Sequence, residues 1–272
     1  MSSSRTAHGR SRARPLSAAR SRRLVSFACR GCSVWITAAI MLVVLTGGRD
    51  AIAAEHSDTQ GPAPGATRVR AEPLPLFFGE SWRHAPGGPV EASVTQSNVS
   101  SQNLELELFG LGAKDVQISG EPGPNNYLNL WSGLSKEPFA VLLKDKNRYV
   151  DLSGPAARIR WVIRTAGFHA ARPAIQLADG TLLVGDHADS STIFAEREFA
   201  IADIRWLPLD PDRVVTTVVK GSRGKPGSWY PDPDLSKVDA VGWVDLMPGS
   251  GHGFSGWINM ATIEVYGKPV GR

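Results

Sequence analysis

Gly256-Trp257-Ile258-Asn259-Met260-Ala261-Thr262-Ile263-Glu264-Val265-Tyr266-Gly267 is crowded with β-branched and aromatic side chains and has the pattern of a long strand. Upstream, Asp234-Leu235-Ser236-Lys237-Val238-Asp239-Ala240-Val241-Gly242-Trp243-Val244-Asp245 supplies a second strand between Val238 and Val244. Pro248-Gly249-Ser250-Gly251-His252-Gly253 joins them. Glycine costs conformational entropy on folding, so several together mark a backbone that takes positive φ or lies close against something. The stretch predicts a built loop at the end of a β-sheet, holding Asp245 and His252 near Trp243 and Trp257.

Working outward, the same texture recurs. Leu104-Glu105-Leu106-Glu107-Leu108 alternates strictly, as does Ile159-Arg160-Trp161-Val162-Ile163, which turns Ile159, Trp161 and Ile163 to one side. Phe139 to Leu143 and Val214 to Val219 are further strand-like runs. In Ala178-Asp179-Gly180-Thr181, Asp-Gly lies between Ile175-Gln176-Leu177 and Leu182-Leu183-Val184, a hairpin signal. No apolar stripe of period 3.6 runs beyond about three turns. Parallel sheets need crossover helices, so the reading is an all-β fold, an antiparallel β-sandwich.

The Asp-Leu-Ser-x-Val-x-x-Val-Gly beginning at Asp234 and the Ile-x-Val-Tyr-Gly ending at Gly267 resemble the closing strands of the galactose-binding-like jelly rolls. That superfamily includes many carbohydrate-binding modules. The resemblance covers about 35 residues. It implies a jelly roll with ligands at loops on one rim or on a concave face, often with a structural calcium. No ligand residue of a particular family is matched.

Residues 1–54 read as a secretory signal peptide. They carry nine of the 30 Lys and Arg and one of the 26 acidic residues, then an apolar run from Val34 to Leu45 and the small-x-small site Ala51-Ile52-Ala53-Ala54. Ser21-Arg22-Arg23-Leu24-Val25 resembles a twin-arginine signal. Residues 55–272 then hold 21 basic and 25 acidic side chains, a net charge of −4, which removes the argument for nucleic acid as partner. Both cysteines, Cys29 and Cys32, fall in the leader. The expectation is a periplasmic or extracellular protein with no membrane association after cleavage, a linker over 55–73 rich in Gly, Pro and Ala, and one folded domain over 74–270.

Several side chains are candidates for ligand binding. His252, between two glycines, could serve as base, donor or metal ligand; it could equally be a turn-stabilising histidine. Arg164-Thr165-Ala166-Gly167-Phe168-His169-Ala170-Ala171-Arg172 places Arg and His donors beside an aromatic. Arg forks fit carboxylates or vicinal sugar hydroxyls, so His169 and Arg172 join Asp245, His252, Trp243 and Trp257 as the expected ligand-binding set. Arg158, Arg160 and Arg164, at strand spacing, also fit a solvated face paired with acids. Asp186 and Asp189, flanking His187, are candidate metal ligands, though an Asp-rich turn capping its own backbone fits as well. Asp245 and Glu264 are expected on neighbouring strands.

Seven of the eight tryptophans follow residue 55. Trp161 and Trp206 fit core positions, whereas Trp131 and Trp229, among Asn, Ser, Tyr and Pro, fit exposed ones. Indole faces stack on the C–H surfaces of sugars. The leading expectation is an exported β-sandwich that binds carbohydrate through rim loops, with no cofactor beyond the structural calcium that the resemblance allows. A glycan hydrolase or lyase using His169 or His252 with Asp186 or Asp245 is one alternative, and a cell-envelope protein-interaction domain is another.

Overall fold

The computed structural model describes residues 73–89, 91–217, 228–247 and 256–272. Its strands, in chain order, are β1 (Leu76–Glu80), β2 (Ala92–Ser93), β3 (Leu104–Phe109), β4 (Gln117–Ser119), β5 (Asn129–Trp131), β6 (Phe139–Asp145), β7 (Arg148–Asp151), β8 (Arg158–Gly167), β9 (Arg172–Leu177), β10 (Leu182–Gly185), β11 (Ala195–Ala200), β12 (Trp206–Pro208), β13 (Val238–Asp245), β14 (Gly256–Tyr266) and β15 (Lys268–Gly271). Every pairing between them is antiparallel. Helical structure among the described residues is confined to three short 3-10 turns.

The strands form two sheets. One runs β11-β8-β14-β5-β4-β2, with β1 beside the far half of β14; the other runs β12-β10-β9-β13-β6-β3, with β7 attached to β13 and β15 to β7. The expected antiparallel β-sandwich is what the chain builds. The Asp179–Gly180 hairpin joins β9 to β10, with Gly180 at φ +86° and Asp179 accepting from the Thr181 amide at 2.9 Å.

Alternation on β8 and β14 sets the faces of the first sheet. Ile159, Trp161 and Ile163 are fully buried, while Arg158, Arg160, Val162 and Arg164 point outward. On β14 the inward parity changes midway: Ile258 and Met260 are core residues, then Ile263 and Val265. The cause is a bulge at Ala261, since Met260 pairs with Ile163 and Thr262 with Val162. Trp82, at φ +53°, donates its indole N–H to the Met260 carbonyl at 3.0 Å and so anchors the bulge from within the core. Glu80, also buried, accepts backbone amides of Trp82, Ser100 and Ser101 at 2.8, 2.7 and 3.2 Å, which fixes the chain leading to that indole.

The two outer faces differ. On the second sheet Ala140, Leu142, Ala174, Leu182, Val184 and Val244 form a further apolar layer covered by Leu209 and Val214. This explains why Val214 to Val219 departs from the expected strand: Asp210 accepts the amides of Asp212 and Arg213, turning the chain, and Val214 folds back onto the sheet with φ +52°. Thr216 retains one isolated bridge to Leu209, and residues 218 and 219 lie outside the described residues. Beside this layer, Lys144 bridges Asp239 at 2.8 Å and Glu107 at 3.6 Å. The outer face of the first sheet has no such cover among the described residues and carries polar and aromatic side chains.

The expectation that Asp245 and Glu264 sit on neighbouring strands is overturned. Asp245 ends β13 in the second sheet and Glu264 lies on β14 in the first. Consecutive strands here cross between sheets, an arrangement the sequence interval alone does not reveal.

Candidate functional site

Antiparallel register places four side chains in a row across the exposed face of the first sheet. Gln117 pairs with Trp131, Trp131 with Asn259, and Asn259 with Arg164. Trp257, two residues before Asn259 on the same face, is the diagonal neighbour of Trp131, within reach of a long aromatic side chain. With Glu91 and Ser119, the residues Trp131, Arg164, Trp257 and Asn259 line an open cleft of about 310 Å³. A second cleft of about 340 Å³ is lined by Asn125, Tyr127, Arg164, Thr192, Ile193 and Phe194. Arg164 lines both, so the two clefts adjoin at its side chain and are together termed the groove.

Local structure holds these groups in place. A Cβ on Gly133 would lie 1.9 Å from Cζ2 of Trp131, so the bare backbone there leaves room for the indole. Gly256 starts β14 at φ +99°, and a Cβ there would strike the Ala166 carbonyl 1.8 Å away. Only glycine lets β14 run this close to β8 just before Trp257. Beneath the groove, Asn259 Nδ2 donates to Asn129 Oδ1 at 2.7 Å, and Asn129 Nδ2 donates to the Tyr127 carbonyl at 2.8 Å. That relay turns Asn259 Oδ1 toward Arg164, whose Nε donates to it at 3.3 Å. The guanidinium also lies over the Phe194 ring, 4.8 Å from its centroid, and Phe194 packs on Tyr127 at 4.9 Å.

The three outward arginines of β8 are used differently. Arg158 meets Glu198 at 3.1 Å, and Arg160 meets Glu264 at 2.6 Å and Glu196 at 3.2 Å, the solvated ion-paired face expected of this strand. The Glu264 hydrogen bond raises the Arg160 pKa further. Arg164 has no carboxylate partner among the described residues.

Of the ligand-binding residues expected from sequence, the described ones fall in three places, with His169, Asp245 and Arg172 brought together in one of them. His169 and Asp245 meet: Nδ1 and Oδ2 are 2.6 Å apart, with side chains 2% and 1% exposed. Asp245 also accepts the Met247 amide at 3.0 Å. This pair ties the turn between β8 and β9 to the end of β13. Arg172 and Asp245 line a shallow hollow of about 180 Å³ with Phe168, Ala170, Leu246 and Met247, and Arg172 donates to the Asp186 carbonyl at 3.0 Å. Trp243 instead lies in the core, 1% exposed, edge-on to Phe139 at 5.2 Å. Trp257 stands on the other sheet's outer face, and His252 lies outside the described residues.

Asp186 and Asp189 do not converge on one point. Asp186 accepts His187 Nδ1 at 2.8 Å and Arg205 Nε at 2.9 Å; burial pushes its pKa up, but these bonds and the Arg205 amide outweigh that and hold it at about 2. Asp189 receives the Trp161 indole N–H at 3.2 Å and Arg197 Nε at 3.1 Å. No group of three His, Cys, Asp or Glu suited to a metal occurs among the described residues. Both carboxylates act as internal fasteners here, with Arg205 stacked 4.2 Å over Trp229.

Asn259, Tyr127, Phe194 and Ser119 were missed from sequence. The signal available for Asn259 was an amide in the outward parity of a strand otherwise rich in apolar residues. Tyr127 and Phe194 gave none, since their loops meet only in three dimensions.

No protein-family model matches the sequence, and no curated protein matches it. Among solved structures, the chain is similar to the family 11 carbohydrate-binding module of the cellulosomal cellulase Lic26A-Cel5E of Clostridium thermocellum, at 11% identity over 62% of this chain and 90% of that one, with a TM-score of 0.36. It is similar to the family 11 module from Clostridium thermocellum in complex with a beta-1,3-1,4-mixed-linked tetrasaccharide, at 11% identity over 71% and 98%, TM-score 0.36. A third similarity is to an exo-beta-agarase, at 10% identity over 65% of this chain and 24% of that one, TM-score 0.36.

Proposed function

We propose that this protein binds carbohydrate in the groove on the outer face of the first sheet, with Trp131 and Trp257 as stacking platforms, Arg164 and Ser119 as hydroxyl partners, and Asn259 holding Arg164 in place. The observation that carries this reading is the diagonal pair of indoles, set on strands rather than loops and flanked by fixed hydrogen-bonding groups. Sugar rings offer apolar C–H faces and a rim of hydroxyls, which this mixture of aromatic and polar groups complements. Among the described residues the groove is open, as an extended chain requires. The binding surface thus moves from the rim loops expected from sequence to a sheet face.

The proposal includes export from the cytosol, on the leader-like residues 1–54, and a role in binding without catalysis. Of the two histidines weighed for acid–base work, His169 has its Nδ1 against Asp245 inside the protein and lies outside the groove lining, and His252 lies outside the described residues. The test is affinity electrophoresis through soluble polysaccharides. Retardation of the wild type, reduced about tenfold or more in Trp131→Ala and Trp257→Ala with unchanged circular dichroism, supports the reading. A wild type that no polysaccharide retards overturns it.

A further inference from the structure

Two clefts meet at Arg164, and their linings differ in charge. The cleft holding Trp131 and Trp257 includes the carboxylate of Glu91; the one holding Tyr127 and Phe194 includes no acid among the described residues. Arg164 is the outward arginine of β8 without a carboxylate among the described residues, whereas Arg158 and Arg160 are both ion-paired. Its position is nonetheless fixed: Asn259 Oδ1 takes Nε at 3.3 Å, and the Phe194 face supports the guanidinium at 4.8 Å. Asn259 is itself oriented through Asn129 to the Tyr127 carbonyl. The backing groups engage Nε and the flat face, and neither Nη makes a hydrogen bond among the described residues.

A guanidinium held at its back and one face presents a two-pronged donor edge, whose geometry matches a carboxylate. Resting on the carbohydrate-binding reading above, we propose that the Tyr127–Phe194 cleft takes an acidic sugar unit, with Arg164 as the fork that receives a uronate carboxylate. Asn125 and Thr192, which line the same cleft, are placed for its hydroxyls. Residues 55–272 carry a net charge of −4, so attraction for an acidic polymer comes from this one site and not from the overall field. Selectivity then depends on one side chain.

The experiment measures affinity by titration calorimetry for polygalacturonate, alginate and hyaluronan, each beside its methyl ester, which keeps the backbone and masks the charge. The expected result is that the wild type binds at least one free polyuronate about tenfold to a hundredfold more tightly than its ester. Raising the salt concentration weakens that binding. Arg164→Gln abolishes the preference while leaving residual affinity for the ester, and Arg164→Lys recovers part of the preference. Equal affinity for acid and ester, unchanged by Arg164→Gln, overturns the acidic-unit assignment and leaves carbohydrate binding standing. Failure of the wild type to bind these polymers while it binds neutral glycans does the same; failure to bind any glycan removes both readings.

Discussion

His169 Nδ1 and Asp245 Oδ2 lie 2.6 Å apart with both side chains sealed from water, so the pair joins the β8–β9 turn to the end of β13 as an internal fastener. Removing the Asp245 carboxylate deletes the hydrogen bond to the buried His169 ring, a loss of about 2 kcal/mol. Asp245→Ala is therefore expected to lower the melting temperature by roughly 4–8 °C for a domain of this size. Calorimetric melting checks it; a shift within a degree or two contradicts the assignment.

Asp186 offers a test with a defined pH signature. Its carboxyl is held at about 2, below the ordinary value near 3.8, because the His187 and Arg205 hydrogen bonds outweigh its partial burial. A depressed carboxylate stabilises the fold above its unfolded pKa, and the contribution is lost as pH falls through the folded value. Asp186→Asn should thus destabilise the protein at pH 6, with the difference from wild type shrinking between about pH 4 and pH 2. Urea unfolding at a series of pH values measures it, and a difference constant with pH counts against this account.

Gly133 makes a prediction confined to the groove. An added Cβ would sit 1.9 Å from the Trp131 ring, so Gly133→Ala must turn the indole from its place on the sheet. Glycan affinity should fall nearly as far as in Trp131→Ala, and Trp131 fluorescence should change in wavelength or intensity. Wild-type affinity in Gly133→Ala would show that the indole's placement does not matter.

Trp82 and the bulge at Ala261 provide a link from core to face. The Trp82 indole N–H donates to Met260, next to the extra residue that switches the parity of β14. Trp82→Phe keeps a smaller aromatic ring and deletes the donor to the Met260 carbonyl, at a cost of about 1–3 kcal/mol for the hydrogen bond with the lost ring volume in addition. Faster amide exchange at Ala261 and Thr262 is expected with it. Unchanged exchange there would separate the bulge from this hydrogen bond.

The fold was largely legible because its signals are local. Alternation in Ile159–Ile163, the Asp179–Gly180 turn and the missing helical stripe each express physics within a few residues, and together they specify an antiparallel sandwich. Val214 misled because a β-branched run serves equally as a strand or as cover for a neighbouring sheet, and the Asp210 turn decides between them. The site was less legible. The rule that tryptophans beside a glycine loop share its function failed to separate Trp243 from Trp257, which stand on different sheets, one inside and one out. Asp245 and His169 were paired by chain crossings that bring residues 76 apart in sequence into contact. Asp186 and Asp189 drew attention as oxygen ligands, yet arginines 205 and 197, unremarkable in sequence, engage them.

Indole resonances test the central claim most directly. In an NMR titration of the protein with the polysaccharide that retards it most, the Nε1–H cross-peaks of Trp131 and Trp257 should move together with the Arg164 and Asn259 side-chain signals. Those of Trp161 and Trp243, both in the core, should stay in place. Shifts concentrated at Phe168, Arg172 and Met247, with the Trp131 and Trp257 peaks unmoved, would contradict the sheet-face groove and return binding to the rim.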